Sequence, residues 1–139
     1  MFSLVAVQGV TEVTEAREAA RTLVSRLVEA YNAKDLDTIA GLYREDARYW
    51  SALGDWQGGR PAILSHIKEL HRRLPNEQMA VRVLVTDGDT VVVEFVSTGT
   101  DPSGRPYELD FTEVIDLVDG KIAMVKVYLD PDEVARIMG

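Results

Sequence analysis

The sequence contains no cysteine, and this absence excludes several kinds of site. A chain without cysteine has no disulfide framework, no cysteine-ligated metal and no thiol nucleophile. It also has only two histidines, His66 and His71, and no combination of them with carboxylates has the spacing of a metal site. We therefore expect neither a metal nor another cofactor. The lack of cysteine fits a reducing compartment, so we expect a cytoplasmic protein.

Basic residues and long apolar runs are also scarce. The 139 residues carry a formal net charge of −8, and a surface this acidic repels phosphate backbones. No apolar run approaches the length of a membrane span. We therefore expect no nucleic acid and no membrane as a partner. The mildly apolar segment 1–10 is expected to be an N-terminal arm: a disordered start, an extra edge strand or a segment that packs on a partner subunit.

The chain has a helical first half and consecutive strands in its last third. Apolar residues at helical spacing predict a helix that begins near Thr11, a second capped by Asp35 and a third that starts near Pro61. A short strand at 47–51 and a loop at 52–59 precede the third helix. Strands follow at 79–86, 90–98, 107–115 and 122–129, and then a terminal helix at 132–138 after the cap Asp130. Helices followed by an antiparallel sheet indicate an α+β class, with one domain over residues 11–139.

Five short landmarks occur in order along this pattern: 31–37, 42–47, 58–63, 119–122 and 128–130. Together they resemble the nuclear transport factor 2-like superfamily, and within it the SnoaL-like polyketide cyclase and limonene epoxide hydrolase branches. The resemblance implies a cone-shaped domain, the cystatin-like cone, in which a curved, mainly antiparallel sheet wraps on three helices. The concave face would enclose an apolar pocket. The convex face would form a homodimer, with Val93 and Phe95 at outward positions.

The catalytic residues of these branches are mostly not retained. The limonene epoxide hydrolase pattern has an arginine between two aspartates, and these positions correspond to Glu94, Val96 and Val127. Its tyrosine corresponds to Tyr49, but the asparagine beside it corresponds to Ser51. SnoaL-like cyclases carry an aspartate near the position of Val127. The resemblance therefore implies the fold without a complete known catalytic set.

Glu94 is the leading catalytic candidate in the sequence. Strand alternation puts Glu94, Val96 and Thr98 on one face, and by the alignment this face lines the pocket. Burial among valines would raise the pKa of Glu94 and suit it to acid–base work near neutral pH, with Tyr49 as a hydrogen-bond donor. The alternative is that Glu94 points into water or forms an ion pair.

Other residues are predicted to line the pocket or its mouth. Glu113 has inward parity and could be a second pocket carboxylate, although it could also lie at the open end of the sheet; Asp110 has outward parity. His66 is expected at the surface, since a lone helix histidine favours that place. Trp56, in a glycine-flanked loop, is expected at the rim for a planar apolar ligand. The predicted ligand-binding set is Trp56, Val96, Leu109, Phe111, Glu113, Val127 and Leu129.

Two functions fit these expectations. The first is an enzyme that acts on a small apolar organic molecule by acid–base chemistry, of the cyclase, isomerase or hydrolase kind. The second is a non-catalytic ligand-binding or dimerisation domain, favoured by the incomplete catalytic sets. The burial and charge environment of Glu94 distinguishes them, because a dry carboxylate that faces a cavity supports catalysis and a surface ion pair does not.

Overall fold

The computed structural model describes the backbone of residues 4–139 and the side chains of residues 13–54 and 56–139. Within this range the chain forms four helices and six strands. In chain order they are α1 Leu4–Asn32, α2 Leu36–Leu42, β1 Tyr43–Ser51, β2 Gly54–Gly58, α3 Arg60–Arg73, β3 Gln78–Asp87, β4 Thr90–Thr100, β5 Pro106–Val118, β6 Lys121–Tyr128 and α4 Pro131–Met138.

Helix α1 starts earlier than the sequence pattern predicts. It begins at Leu4 rather than near Thr11, so residues 4–10 of the expected arm are helical and do not form an edge strand. No proline interrupts residues 4–32, and Gly9 costs a helix interior only about 1 kcal/mol. Residues 1–3 lie outside the described part of the chain.

The six strands form one curved, open, mixed sheet in the order β2-β1-β6-β5-β4-β3. Neighbouring strands are antiparallel except for β1 and β6, which run parallel. The predicted pairings of β4 with β5 and of β5 with β6 are confirmed. The predicted loop at 52–59 is partly wrong, because residues 54–58 form the short edge strand β2. This architecture is the expected α+β cone.

The core lies between the inner face of the sheet and the helices. On β4, Val91, Val93 and Phe95 are fully buried and alternate with half-buried residues. They belong to one cluster with Ile39 of α2 and Ile63 of α3. Burying side chains of this size stabilises the fold by roughly 1.5–3 kcal/mol each. The packed core holds the wide part of the cone in shape.

The turn between α1 and α2 is tied to β3 by Asn32. Its side-chain amide accepts from the backbone N–H of Met79 at 2.8 Å and donates to the Met79 carbonyl at 3.0 Å. Asp35 then caps α2 by accepting from the backbone N–H of Thr38 at 3.1 Å. These bonds explain the landmark at 31–37, and they fix the position of Tyr31 at the end of α1.

Arg60 ties the start of α3 to the end of α2. Its guanidinium donates to the carbonyl oxygens of Ala40 and Tyr43, both at 3.4 Å. Gly59, with φ +87°, precedes α3 and donates its backbone N–H to the Ala47 carbonyl at 2.8 Å. The landmark at 58–63 therefore holds α3 against β1 and orients the tyrosines that β1 carries.

Candidate functional site

A cavity of about 280 Å³ lies between the inner face of the sheet and helices α1, α3 and α4. Most of its wall is apolar, but two groups of polar side chains interrupt it. The lining residues include Tyr31, Tyr43, Tyr49, His66, Arg73, Glu77, Ser97, Tyr107, Leu109, Phe111, Glu113, Val127, Leu129 and the three α4 residues Val134, Ile137 and Met138.

Glu113 is the carboxylate of the first polar group. It lies on β5 directly opposite Val93 of β4 and Val127 of β6, two buried valines. Among the described residues it has neither a hydrogen-bond donor nor a cation as a partner. Burial raises its pKa from the ordinary 4.5 to about 7, because an apolar wall disfavours the charged form. A carboxyl group of this kind exchanges its proton near neutral pH.

Tyr43 and Tyr49 accompany Glu113 along the cavity wall. Burial raises the pKa of both phenols, and the negative charge of Glu113 raises it further. Both phenols therefore stay neutral, and neither has a hydrogen-bond partner in the described part of the chain. A neutral, unpaired phenol beside an apolar cavity can donate its proton to a ligand oxygen.

His66 belongs to the same side of the cavity. Its ring lies 5.1 Å from the ring of Tyr49, centroid to centroid. Burial lowers its pKa, so the imidazole is neutral at neutral pH. His66 was expected to be a surface or edge residue rather than a ligand; it is half-buried on the inner side of α3, where it forms part of the cavity wall.

The second polar group centres on Glu77, in the turn between α3 and β3. Its Oε1 accepts from the Tyr31 hydroxyl at 2.5 Å, and its Oε2 accepts from the Ser97 hydroxyl at 2.5 Å. The Ser97 hydroxyl also contacts the Tyr107 hydroxyl at 3.0 Å. This chain of bonds joins α1, β4 and β5 across one end of the cavity. We call it the Glu77 network.

A ring contact with His71 also holds the Tyr31 side chain in place. The ring of His71 packs on it at 4.5 Å, centroid to centroid. Burial lowers the pKa of His71, and the nearby Lys34 lowers it too, while Glu77 raises it. Burial also raises the pKa of Tyr31, as does the charge of Glu77. Tyr31 is therefore a neutral phenol with one orientation.

Glu94 and Val96 do not line the cavity, and this expectation is wrong. Glu94 pairs with Thr112 and Val83, on the sheet face turned away from the helices. The opposite parity holds Val93, Phe95 and Ser97, which are buried. Valines occupy both faces of β4, so alternation alone could not tell which face is inside. We call the other side of the sheet the outer face; it carries Val83, Val85, Val92, Glu94, Val96, Thr112 and Tyr128.

Trp56 is also misplaced by the sequence analysis. It lies on the edge strand β2, is 41% exposed and is absent from the cavity wall. Its ring centroid is 6.4 Å from that of Trp50, and the Arg48 guanidinium sits 4.4 Å above it. Trp50 in turn contacts Tyr128, at 5.3 Å. These aromatics form a cluster on the outer face and not a rim of the mouth.

The remaining expected residues do meet at the cavity. They are Tyr49, Leu109, Phe111, Glu113, Val127 and Leu129. Sequence reasoning missed Tyr43, His66, Glu77, Ser97 and Tyr107. With the parity of β4 corrected, Ser97 falls on the inner face of the sheet. Tyr107 then falls on the inner face of β5, because it has the same parity as Leu109, which lies opposite Ser97. Glu77 lies in a turn without periodicity, so no sequence signal could have identified it.

Helix α4 covers the mouth of the cavity. Asp130 caps it by accepting from the backbone N–H of Asp132 at 2.9 Å, as predicted. The lining side chains Val134, Ile137 and Met138 lie on one side of the helix, and none of its residues is fully buried. The helix therefore packs on the domain mainly through these three side chains at the mouth of the cavity.

The described part of the chain lacks both a metal-binding cluster and a membrane-spanning helix. No group of three or more histidine, cysteine, aspartate or glutamate side chains there could hold a metal ion. None of the helices in that part is both long and apolar enough to cross a membrane.

Solved structures with this fold are numerous, and they include three candidate enzymes. A candidate polyketide cyclase from Xanthomonas campestris pv. campestris is 26% identical, with a TM-score of 0.76 over 89% of this chain and 99% of that one. A candidate SnoaL-like polyketide cyclase from Jannaschia is 20% identical, with a TM-score of 0.80 over 88% and 92%. A candidate isomerase from Bacillus subtilis is 22% identical, with a TM-score of 0.78 over 88% and 94%.

No curated protein matches the chain. A family model does, and its description is "SnoaL-like domain". The match covers residues 24–125, which is most of the chain and includes most of the residues that line the cavity. The neighbours, the fold and the family model agree with the resemblance seen in the landmarks. The chain belongs to the SnoaL-like domain family, and its fold is that of nuclear transport factor 2-like proteins.

Proposed function

We propose that the chain is a cofactor-independent enzyme that moves a proton at a carbon next to a carbonyl group of a small apolar molecule. The observation that carries this proposal is Glu113, an unpaired carboxyl in an apolar cavity whose pKa is raised to about 7. A general base works best when its pKa lies near the working pH. The cyclase and isomerase assignments of the three neighbours agree with this class of reaction.

The proposed reaction has two proton transfers. Ionised Glu113 takes a proton from the carbon beside the carbonyl, and the C–H electrons form the C=C bond of an enolate. Tyr49 donates a hydrogen bond to the enolate oxygen, with Tyr43 as a second available phenol. Where the substrate has a C=C bond conjugated with the enolate, protonated Glu113 then returns its proton to the far carbon of that bond, the double bond shifts into conjugation with the re-formed carbonyl, and the result is an isomerisation. In a cyclisation the enolate carbon attacks a second carbonyl, and Glu113 protonates the new alkoxide.

The cavity limits the size and polarity of the substrate. At about 280 Å³ it lies at the lower end of the range for ligand pockets, roughly 300–1,000 Å³. Apolar side chains such as Leu109, Phe111 and Val127 form much of its wall. We therefore expect a compact substrate of one or two rings with few polar groups.

Hydrogen exchange into small cyclic ketones tests the proposal. The protein is incubated in D₂O with 1-tetralone, 2-tetralone and cyclohexanone, and NMR follows deuterium entry beside the carbonyl. We expect exchange above the buffer rate, loss of it in Glu113→Gln, and retention in Glu94→Gln. The second variant is a matched control, because it makes the same change on the other face of the sheet. Exchange that survives in folded Glu113→Gln, or no exchange in the wild type, would support the ligand-binding alternative.

A further inference from the structure

We propose that the Glu77 network is a hydrogen-bond-accepting subsite that binds a hydroxyl group at the end of the substrate remote from the reacting carbonyl. The inference deepens the proposed function, on which it rests for the role of the Glu113 end. It names the substrate class as a hydroxylated cyclic ketone.

The hydroxyl protons of the Glu77 network are all engaged within it. Tyr31 donates its only hydroxyl proton to Glu77, and Ser97 does the same. A hydroxyl has one proton, so Ser97 cannot also donate to Tyr107. In the 3.0 Å contact between them Tyr107 is therefore the donor. Every hydroxyl proton of the network is used inside it.

Only acceptor capacity is left for a ligand. The Glu77 carboxylate has about four lone-pair sites and accepts two bonds, and the phenol oxygens of Tyr31 and Tyr107 keep free lone pairs. All of these residues line the cavity. A ligand carbonyl placed here would find no donor in the network, whereas a ligand hydroxyl would find several acceptors.

The other end of the cavity has the opposite character. Tyr43 and Tyr49 are neutral phenols without partners among the described residues, so they offer donors. Glu113 adds a third donor when it is protonated. A substrate is therefore oriented with its carbonyl oxygen toward Glu113 and a hydroxyl toward Glu77.

The sheet register gives the separation of the two ends. Glu113 lies opposite Val93, and the network bonds to Ser97, four residues further along β4. Four residues of a strand span roughly 13 Å. The distance between the polar side chains is shorter, because both groups reach into the cavity. It suits a bicyclic ligand with one hydrogen bond at each end.

Arg73 decides between a hydroxyl and an ammonium group as the donor. It lines the same cavity, is exposed and has no ion-pair partner in the described part of the chain. Its positive charge offsets the attraction of the Glu77 carboxylate for a ligand cation. A neutral hydroxyl does not depend on that attraction and still donates to the network.

Binding of three matched ligands tests the subsite. The ligands are 6-hydroxy-1-tetralone, 6-methoxy-1-tetralone and 1-tetralone, and calorimetry or ligand-observed NMR measures the Kd of each. We expect the wild type to bind the hydroxyl compound about tenfold more tightly than the methoxy compound, because a difference of this size is typical of one hydrogen bond to a charged acceptor. In Glu77→Gln, whose amide adds a donor, the preference should fall below about twofold or reverse. Equal binding of the two by the wild type, or binding of none of the three, overturns the inference.

Two further variants keep the test decisive. If Glu77→Gln does not fold, Tyr107→Phe is measured instead; it removes one acceptor of the network and leaves both bonds to Glu77, so the preference should fall below tenfold without being lost, and an undiminished preference would count against the network as the subsite. The control Glu94→Gln should keep the tenfold preference; a loss of preference there would mean that it does not depend on the network. A hydroxyl preference without deuterium exchange rejects the proposed function alone. Exchange without the preference rejects the subsite alone.

Discussion

Glu94 and Glu113 lie on adjacent strands one register position apart, and their side chains leave opposite faces of the sheet. Glu94 pairs with Thr112, while Glu113 pairs with Val93. The first carboxylate therefore lies on the outer face, and the second reaches the cavity. Both glutamates lie in the middle of paired strands, but only Glu113 lines the cavity. A substitution of Glu94 is therefore a matched control for the same substitution of Glu113.

The free energy of unfolding should depend on pH through the buried carboxyl group of Glu113. Its folded pKa of about 7 exceeds the ordinary 4.5, so the folded state binds more protons than the unfolded state between these pH values. Stability contributed by this group is therefore lost as the pH rises from about 4.5 to 7, by up to about 3 kcal/mol. We expect Glu113→Gln to be more stable than the wild type at pH 8.5 and to lose this advantage at pH 4.

Urea unfolding at the two pH values measures this difference. His66 and His71 also titrate, since burial lowers the pKa of both, and their stability contribution falls as the pH drops below 6.5. They are present in both proteins and cancel in the comparison. Glu94→Gln is the control and should show no such pH-dependent gain. A Glu113→Gln variant that is several kcal/mol less stable at pH 8.5 would mean that Glu113 is a partner in a buried pair.

Tyr49 is expected to act on the rate more than on binding. In Tyr49→Phe the ring still packs against His66, but the hydrogen bond to the enolate oxygen is lost. Removing one such donor typically lowers kcat by about 10²–10³-fold. We expect a loss of that order in the exchange rate and a Kd for 1-tetralone within a few-fold of the wild type. An unchanged rate would exclude Tyr49 from the reaction.

The mouth helix α4 can be loosened without unfolding the domain. Asp130→Ala removes its cap, at a cost of about 1 kcal/mol to the helix. We expect faster ligand dissociation with little change in Tm, because α4 has no buried residue. The control is Asp35→Ala, which uncaps α2, where Ile39 and Leu42 are buried. That variant should lower the Tm, and equal effects of the two changes would contradict the account.

We propose that the outer face forms a homodimer, through residues other than the two expected from the sequence. Val93 and Phe95 are buried in the core, so they do not contribute. Val83 and Val85 are 50% and 54% exposed there on the edge strand β3, and the aromatic cluster of Trp50, Trp56 and Tyr128 lies toward the opposite edge of the sheet. Exposed apolar patches of this kind mark interaction surfaces.

Light scattering measures the association. We expect a dimer for the wild type and a folded monomer for Val85→Glu. Val118→Glu is the matched control, because Val118 is 44% exposed but lies beside the β5–β6 turn. That variant should remain a dimer. A wild-type monomer at micromolar concentration would reject the proposal.

The local signals in the sequence were sufficient for most of the fold. Asp119 and Gly120 both have positive φ, as a two-residue hairpin turn requires, and this dipeptide predicted the pairing of β5 with β6. Asp35 and Asp130 were recognised as helix caps because the capping bond lies within a few residues of the sequence. Such features depend on neighbours along the chain, so the sequence carries them directly.

The candidate site was less predictable because its geometry is long-range. Glu77 meets Ser97 twenty residues away and Tyr31 forty-six residues away, and no local pattern encodes either contact. Glu94 was assigned to the cavity through an alignment, although Val91 to Val93 suit either face of β4. Glu113 was found because apolar neighbours of the same parity, Phe111 and Ile115, marked the inner face of β5.

The pKa of Glu113 tests the central claim most directly, since every proton transfer in the account passes through this carboxyl. Carbon-13 NMR of glutamate labelled at the side-chain carboxyl follows each group through a pH titration, and the signal absent from Glu113→Gln is the one to assign. We predict a midpoint near pH 7 for Glu113. A midpoint near the ordinary value of 4.5 would contradict the claim, because the group would then be ionised throughout the neutral range and too weak a base for the proposed reaction.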